Sequence, residues 1–401
     1  MDRAGWHGIV IGVPLQESAF SFTLQTHVWF GAGCRRELAS LVSREGWQRV
    51  GLVVDHGLRQ VPAVQELVDG LAPSRVTAMA WCDVSEPTYD ALDEMRHAFD
   101  HRACDVVVGI GGGSALDSAK AMAVLAHNRE PAVTYRGFDK FTGPVLPVVA
   151  IPTTAGTGSE VTPNASFVDT REQRKLGING EAIRPKFALL DPELTVSCPR
   201  LPTLSAGADS MVHATEAYVA RKATPLARMF AREGFRRVFN ALPAVLADGS
   251  NLAARSDVMF GAFLAGIALM NSGTGPAAAM SYPTGVHFRV PHGVGGAMFL
   301  PIVAQHNVHE GYFDYGDLHA EMAGARVTAS PKDAAQGFVD RLRETWVALG
   351  VPSLREFGVT AGDVDRLVAD TLQLQGALEQ NPVSFGAAEI TAAFLEQIRA
   401  A

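Results

Sequence analysis

Gly109-Ile110-Gly111-Gly112-Gly113-Ser114-Ala115-Leu116-Asp117-Ser118-Ala119-Lys120 is the stretch that decides how this chain folds. It grows out of an apolar run, Asp105-Val106-Val107-Val108-Gly109-Ile110, that reads as a buried strand, and it leads into a helix. Glycines at such a turn let the backbone approach a diphosphate closely. The free N–H groups and the dipole at the helix start favour its negative charge. Ser114 either adds a hydroxyl donor there or caps the helix. A lone GxGxxG is equally common as an ordinary tight turn; three consecutive glycines followed by Ser-x-x-Asp-x-Ala-Lys are much more specific.

On either side of this turn the first half of the chain alternates apolar runs with amphipathic stretches. Arg49 to Asp55 reads as a buried strand ending in an acid, and Leu58 to Leu71 as helix. Val145 to Ile151, despite Pro147, and Phe187 to Leu190 are further strand candidates. Strands that are apolar throughout and separated by helices indicate a parallel sheet covered on both faces. From Leu201 the texture becomes helical: Thr203 is placed to cap a helix through Ala220, followed by Leu226 to Leu242, Ala253 to Met270, Pro331 to Leu349, Ala361 to Leu374 and Ala387 to Ala400. The expected fold is an α/β dinucleotide-binding domain over residues 1–200, parallel-sheeted and Rossmann-like, followed by an all-α domain over residues 201–401.

Composition narrows the class. The 401 residues are 47% hydrophobic and 19% charged, as a compact two-domain protein requires. A net charge of -8 without any Lys/Arg-rich run argues against nucleic acid or an anionic membrane as partner. Cys34, Cys82, Cys104 and Cys198 form no CxxC pair, which suits reduced thiols in a cytoplasmic protein. Met1 to Pro14 lacks the basic start and cleavage site of a signal peptide, and the charge-free run Val258 to Met270 is too short to span a bilayer and reads as a core helix.

Two further segments point to the same ligand. Asp55, an acid at the end of an early strand, can accept hydrogen bonds from adenosine ribose hydroxyls and would repel a 2′-phosphate, favouring NAD over NADP; alternatively it caps the next turn. Pro152-Thr153-Thr154-Ala155-Gly156-Thr157-Gly158-Ser159-Glu160-Val161-Thr162 directly follows a strand and is suited to line a nucleotide cleft.

Together these segments resemble the iron-containing alcohol dehydrogenase family of the dehydroquinate synthase-like superfamily. The likeness runs from Phe30-Gly31-Ala32-Gly33 through both loops, through Ala188 to Thr195 and Asp209 to Tyr218, to Pro291-His292-Gly293 and Leu300-Pro301. It implies an oxidoreductase that interconverts a small alcohol with its aldehyde or ketone using NAD(P), with a small-molecule substrate and a homodimer or larger assembly. By position it assigns Gly112, Gly113, Ser114, Thr153, Thr154 and Thr157 to the cofactor, with Gly111 and Asp117 of the same run counted alongside them. Lys175 matches a lysine near the nicotinamide ribose, and Asn164 a residue beside the substrate.

Asp209 and His213, four apart on an expected helix, project from one face, and their donors suit Fe2+ or Zn2+. The resemblance adds His292 as third ligand and gives Glu216 none. It also exposes a break: Ala278 stands where the family has a fourth ligand, a histidine, and Tyr282 where many members carry a second histidine thought to relay the substrate proton. Three outcomes stay open. Metal binds through three protein ligands with water completing the shell; His287 replaces the lost ligand or shuttles the proton, for which its ordinary pKa suits neutral pH better than that of Tyr282; or the site is metal-free, as in maleylacetate reductases, with Arg289 orienting a carboxylate- or phosphonate-bearing substrate. A non-redox lyase or synthase on the same scaffold is the remaining enzymatic alternative.

Overall fold

The computed structural model describes residues 19–71, 75–82, 86–100, 104–325 and 330–399. The start of the chain to Pro14, read above for a leader, and Ala400 lie outside these residues. Among the described residues nine strands are formed: β1 (His27–Phe30), β2 (Val50–Asp55), β3 (Val76–Cys82), β4 (Val106–Gly111), β5 (Gly137–Phe138), β6 (Val148–Pro152), β7 (Asn164–Asp169), β8 (Arg174–Asn179) and β9 (Phe187–Leu190). Six make one parallel sheet in the order β1-β9-β6-β4-β2-β3. Apart from Asp55 at the end of β2, the central strands β2, β4 and β6 are apolar because both sheet faces are covered, leaving Val53, Val107, Val108 and Ile151 wholly buried. Pro147 stops β6 from starting at Val145: it has no N–H to give, but its carbonyl accepts from Val107 N at 3.0 Å. The edge strands β1 and β3 are buried on alternate residues or not at all and are additions to the sequence reading.

A second sheet, also unanticipated, is small and mixed, in the order β5-β8-β7. Its β7–β8 hairpin is antiparallel, with Asn164 opposite Asn179 and Val168 opposite Lys175. The helix opened by the glycine turn, Gly113–Leu125, is tied to this sheet through Lys120. The Lys120 ammonium is fully buried and donates to Ser159 Oγ and to the Asn164 carbonyl, each at 2.7 Å, with Asp117 3.5 Å away. Gly112 occupies the cap position of this helix, so Ser114 lies in its first turn and is not the cap.

From Arg200 the chain is helical. The first long helix, Arg200–Val219, starts before Thr203, whose hydroxyl donates to the Cys198 carbonyl from inside the first turn instead of capping it. Pro225–Ala247 and Leu252–Ser272 pack against it. Leu252–Ser272 is long and apolar enough by composition to cross a membrane, and its apolar window is 67% buried inside the protein. Among the helices hidden from pattern reading are Pro276–Phe288 and His292–His309, each carrying an internal proline. The start of Pro276–Phe288 is capped from a distant helix. The Glu216 carboxylate accepts from Thr274 Oγ1, Gly275 N, Ala277 N and Ala278 N at 2.6, 2.7, 2.7 and 3.3 Å. Those bonds satisfy backbone donors that a helix start otherwise leaves open.

Lys120→Met fills the space of the lysine but leaves Asp117 and the Asn164 carbonyl without their buried partner. It is expected to destabilise the fold by about 3 kcal/mol, read as a lower urea midpoint at unchanged slope.

Candidate active site and metal centre

The glycine turn is shaped by crowding as much as by flexibility. Gly111 adopts φ +151°, and a Cβ there would lie 2.7 Å from both Asp55 Cβ and Ala115 Cβ. A Cβ on Gly113 would lie 2.6 Å from Thr157 Cγ2. Thr153 N donates to the Gly111 carbonyl at 2.9 Å, which draws the Thr-rich loop against the turn. Between them opens a cavity of about 580 Å³, lined on the sheet side by Asp55, Gly112, Gly113, Ser114, Thr153, Thr154 and Thr157. Its opposite wall is helical, with Leu201, Pro202, Asp209 and His292. Gly111 shapes this cavity from behind without lining it. Asp55 caps the next turn, its carboxylate accepting from Gly57 N at 2.8 Å, and it also lines the cavity.

A second cavity, about 690 Å³, lies between the small sheet and the helices and includes Asn164, Lys175, His213, Ala278 and Tyr282. Asp117, grouped above with the cofactor residues, lines this cavity and not the glycine-lined one. Its carboxylate accepts from Ser159 Oγ at 2.5 Å and Ser166 N at 2.8 Å, on the side away from the glycine cradle. Lys175, on β8, likewise lines the second cavity and not the glycine-lined one, with its ammonium 5.5 Å from the Tyr282 ring centre. The two cavities share Thr157, Asp209 and His292.

At that junction sits a donor cluster. Asp209 and His213 lie one turn apart on the Arg200–Val219 helix, and His292 is the first residue of His292–His309. One ligand atom from each lies within 4.8 Å of the others. Asp209 Oδ1 is 3.5 Å from His213 Nε2 and 3.7 Å from His292 Nε2. Gly293 makes this approach possible, since a Cβ there would meet the Ser205 carbonyl oxygen at 1.9 Å.

Ser281 determines which way round His292 works. Its hydroxyl donates to the Ala278 carbonyl at 2.6 Å, spending its one proton, so at 2.7 Å from His292 Nδ1 it must accept. The His292 proton therefore sits on Nδ1, and Nε2 presents a lone pair to the cluster. Burial pushes the His292 pKa down to about 4, against the pull of Asp209, so the ring stays neutral. A carboxylate and two imidazoles, that of His292 neutral and with its other nitrogen hydrogen bonded, fit a divalent metal. Ala278 is buried on the same cavity wall with its methyl as its only side-chain atom, and Glu216 is occupied as a helix cap.

His287 does not join this site. Its Nε2 is 2.8 Å from Asp370 Oδ2 on the Val364–Thr371 helix, and it lines neither cavity, so the replacement-ligand and shuttle roles both fail on placement. The chain reverses at Arg289, which takes a left-handed φ of 56° and also lines neither cavity. Tyr282 stands edge-on to the His292 ring, 5.0 Å between centres, and burial raises its pKa above the ordinary tyrosine value. Sequence reasoning missed Ser281, whose role needs the Ala278 carbonyl to be read, and Glu86, which pairs with Lys175 from the segment after β3.

Comparison with known proteins bears on this geometry. The family model described as iron-containing alcohol dehydrogenase matches residues 25–192, and that of the family's C-terminal domain matches residues 203–398. The 1,3-propanediol dehydrogenase of Klebsiella pneumoniae is 30% identical over 380 residues, 94% of this chain and 98% of that protein. The NAD-dependent methanol dehydrogenase of Bacillus methanolicus is 30% identical over 348 residues, 86% of this chain and 91% of its own length. A crystal structure of 1,3-propanediol oxidoreductase superposes with a TM-score of 0.88 at 30% identity, covering 95% of this chain and 100% of that one. With both halves matched, a parallel sheet leading into a helical domain and the donor cluster between them, the chain belongs to the iron-containing alcohol dehydrogenase family of oxidoreductases.

Proposed function

We propose that this enzyme interconverts a small uncharged alcohol and its aldehyde or ketone, using NAD and a divalent metal held by Asp209, His213 and His292. The observation that carries this reading is the meeting of the two cavities at the donor cluster. The glycine-lined cavity is suited to the dinucleotide, its diphosphate on the amides of Gly112 to Ser114. Asp55 at its far end disfavours a 2′-phosphate, which supports NAD over NADP. When bound, the metal supplies Lewis acidity at the substrate oxygen and the nicotinamide supplies the hydride acceptor or donor. Around the place the substrate takes, Asn164, Ser166 and Tyr282 offer hydrogen-bonding groups, while Leu176, Leu269 and Leu374 exclude water from its carbon chain.

The rival reading, a metal-free reductase of carboxylates or phosphonates, needs a free cation in the second cavity. Among its described lining residues Lys175 is the only lysine or arginine, and it is paired with Glu86. The relatives matched over most of their length are named as dehydrogenases, which supports net redox chemistry over a lyase.

Two measurements check the parts of this reading separately. In fluorescence titrations the enzyme is expected to bind NADH more tightly than NADPH, and Asp55→Ala to narrow that preference by about tenfold, the worth of roughly 1.4 kcal/mol of charge repulsion; equal affinities in the parent enzyme would remove the role of Asp55. Ser281→Ala frees His292 to take the other tautomer and is expected to weaken Zn2+ or Fe2+ affinity about 10–100-fold in chelator competition. An unchanged metal affinity would show that Ser281 does not orient the ligand.

A further inference from the structure

Charged groups on the wall of the second cavity are few and paired. Asp117 lies beside the buried ammonium of Lys120, and Glu181 is 2.8 Å from Arg184. Asp209 belongs to the donor cluster. Lys175 reaches the cavity from β8 with its ammonium buried, close to the Tyr282 ring and so beside the place where chemistry occurs. Left alone, that ammonium would attract any substrate bearing a carboxylate, because a partly desolvated charge is screened far less than one in water.

It is not left alone. Glu86 Oε2 stands 2.5 Å from Lys175 Nζ, and the glutamate side chain is 35% exposed against 13% for the lysine. Burial works against ionising Glu86, but the lysine outweighs it and holds the carboxyl below its usual range. Nothing in the mechanism above uses Glu86. Its one evident effect on the cavity is to cancel the charge of Lys175.

We propose that Glu86 is a specificity-determining residue that, by neutralising Lys175, confines the enzyme to uncharged alcohols and aldehydes and turns away substrates carrying a carboxylate. This rests on the reading of the second cavity as the substrate site, and it names the substrate class of that site. An anionic substrate entering here finds Lys175 already engaged. Removing the Glu86 charge returns a cation to a cavity whose size and apolar lining are unchanged.

The test compares hexanal with 5-oxopentanoate, an aldehyde of similar length ending in a carboxylate, reduced by the metal-loaded enzyme with NADH. Glu86→Gln is expected to raise kcat/KM for 5-oxopentanoate relative to hexanal by about tenfold or more, mainly through KM. Lys175→Met, which leaves the glutamate without its cation, is expected to shift the ratio the opposite way. Calorimetric titration of the enzyme–NADH complex with hexanoate should show tighter binding by Glu86→Gln in the same proportion. A ratio unmoved by Glu86→Gln, or moved in the same direction by both substitutions, would overturn the proposal while hexanal turnover left the functional reading standing. If the parent enzyme reduced neither aldehyde nor any other uncharged one, the functional reading would fall, and this inference with it.

Discussion

Everything in the site depends on two helices touching backbone to backbone. The start of His292–His309 is pressed against Arg200–Val219 at Gly293, where even one carbon more would collide with the Ser205 carbonyl and with Asp209. That contact carries His292 to within 3.7 Å of a carboxylate that belongs to the other helix. Bringing Asp209 and two imidazoles together in a buried place is unfavourable unless something compensates the charge. Burial keeps the His292 ring uncharged, and a divalent metal held there would balance the aspartate. Ser281 completes the arrangement by giving its proton to Ala278 and so obliging His292 to present Nε2.

The rest of the molecule shapes the cavity proposed for the nucleotide. A sheet apolar on both faces ends its central strand in glycines, and the turn they allow is narrow enough that side chains on them would strike Asp55, Ala115 or Thr157. Backbone amides are thereby exposed towards the glycine-lined cavity, and the Thr-rich loop held by Gly111 forms its edge. The second cavity opens from the other side of the same cluster, walled by a small sheet that Lys120 pins to the glycine helix. Structure and stability are coupled here: the buried lysine that steadies the fold also fixes Asn164, a wall of the second cavity.

Much of this was legible in the residues themselves. Continuous apolar runs ending in Asp55 and in the glycine turn announce a buried parallel sheet, and the spacing of Asp209 and His213 announces a shared helix face. What stayed hidden has physical reasons. The helices Pro276–Phe288 and His292–His309 break the periodic pattern with proline and glycine, and the first is capped by Glu216, far away in sequence. The β7–β8 hairpin is half-buried and polar, so it carries no strong apolar signal. His287 misled because it sits near His292 in the chain, whereas the reversal at Arg289 turns it towards Asp370. Glu86 and Lys175 meet only once two different sheets are placed side by side, which no local pattern conveys.

The central claim is that Asp209, His213 and His292 together hold a metal where the two cavities join. Anomalous diffraction from crystals of the Zn2+- or Fe2+-reconstituted enzyme, recorded on both sides of the metal's absorption edge, addresses it directly. The expected result is one strong peak bounded by Asp209 Oδ1, His213 Nε2 and His292 Nε2. A reconstituted, active enzyme whose anomalous map is featureless there, or whose metal is held by other side chains, would contradict it.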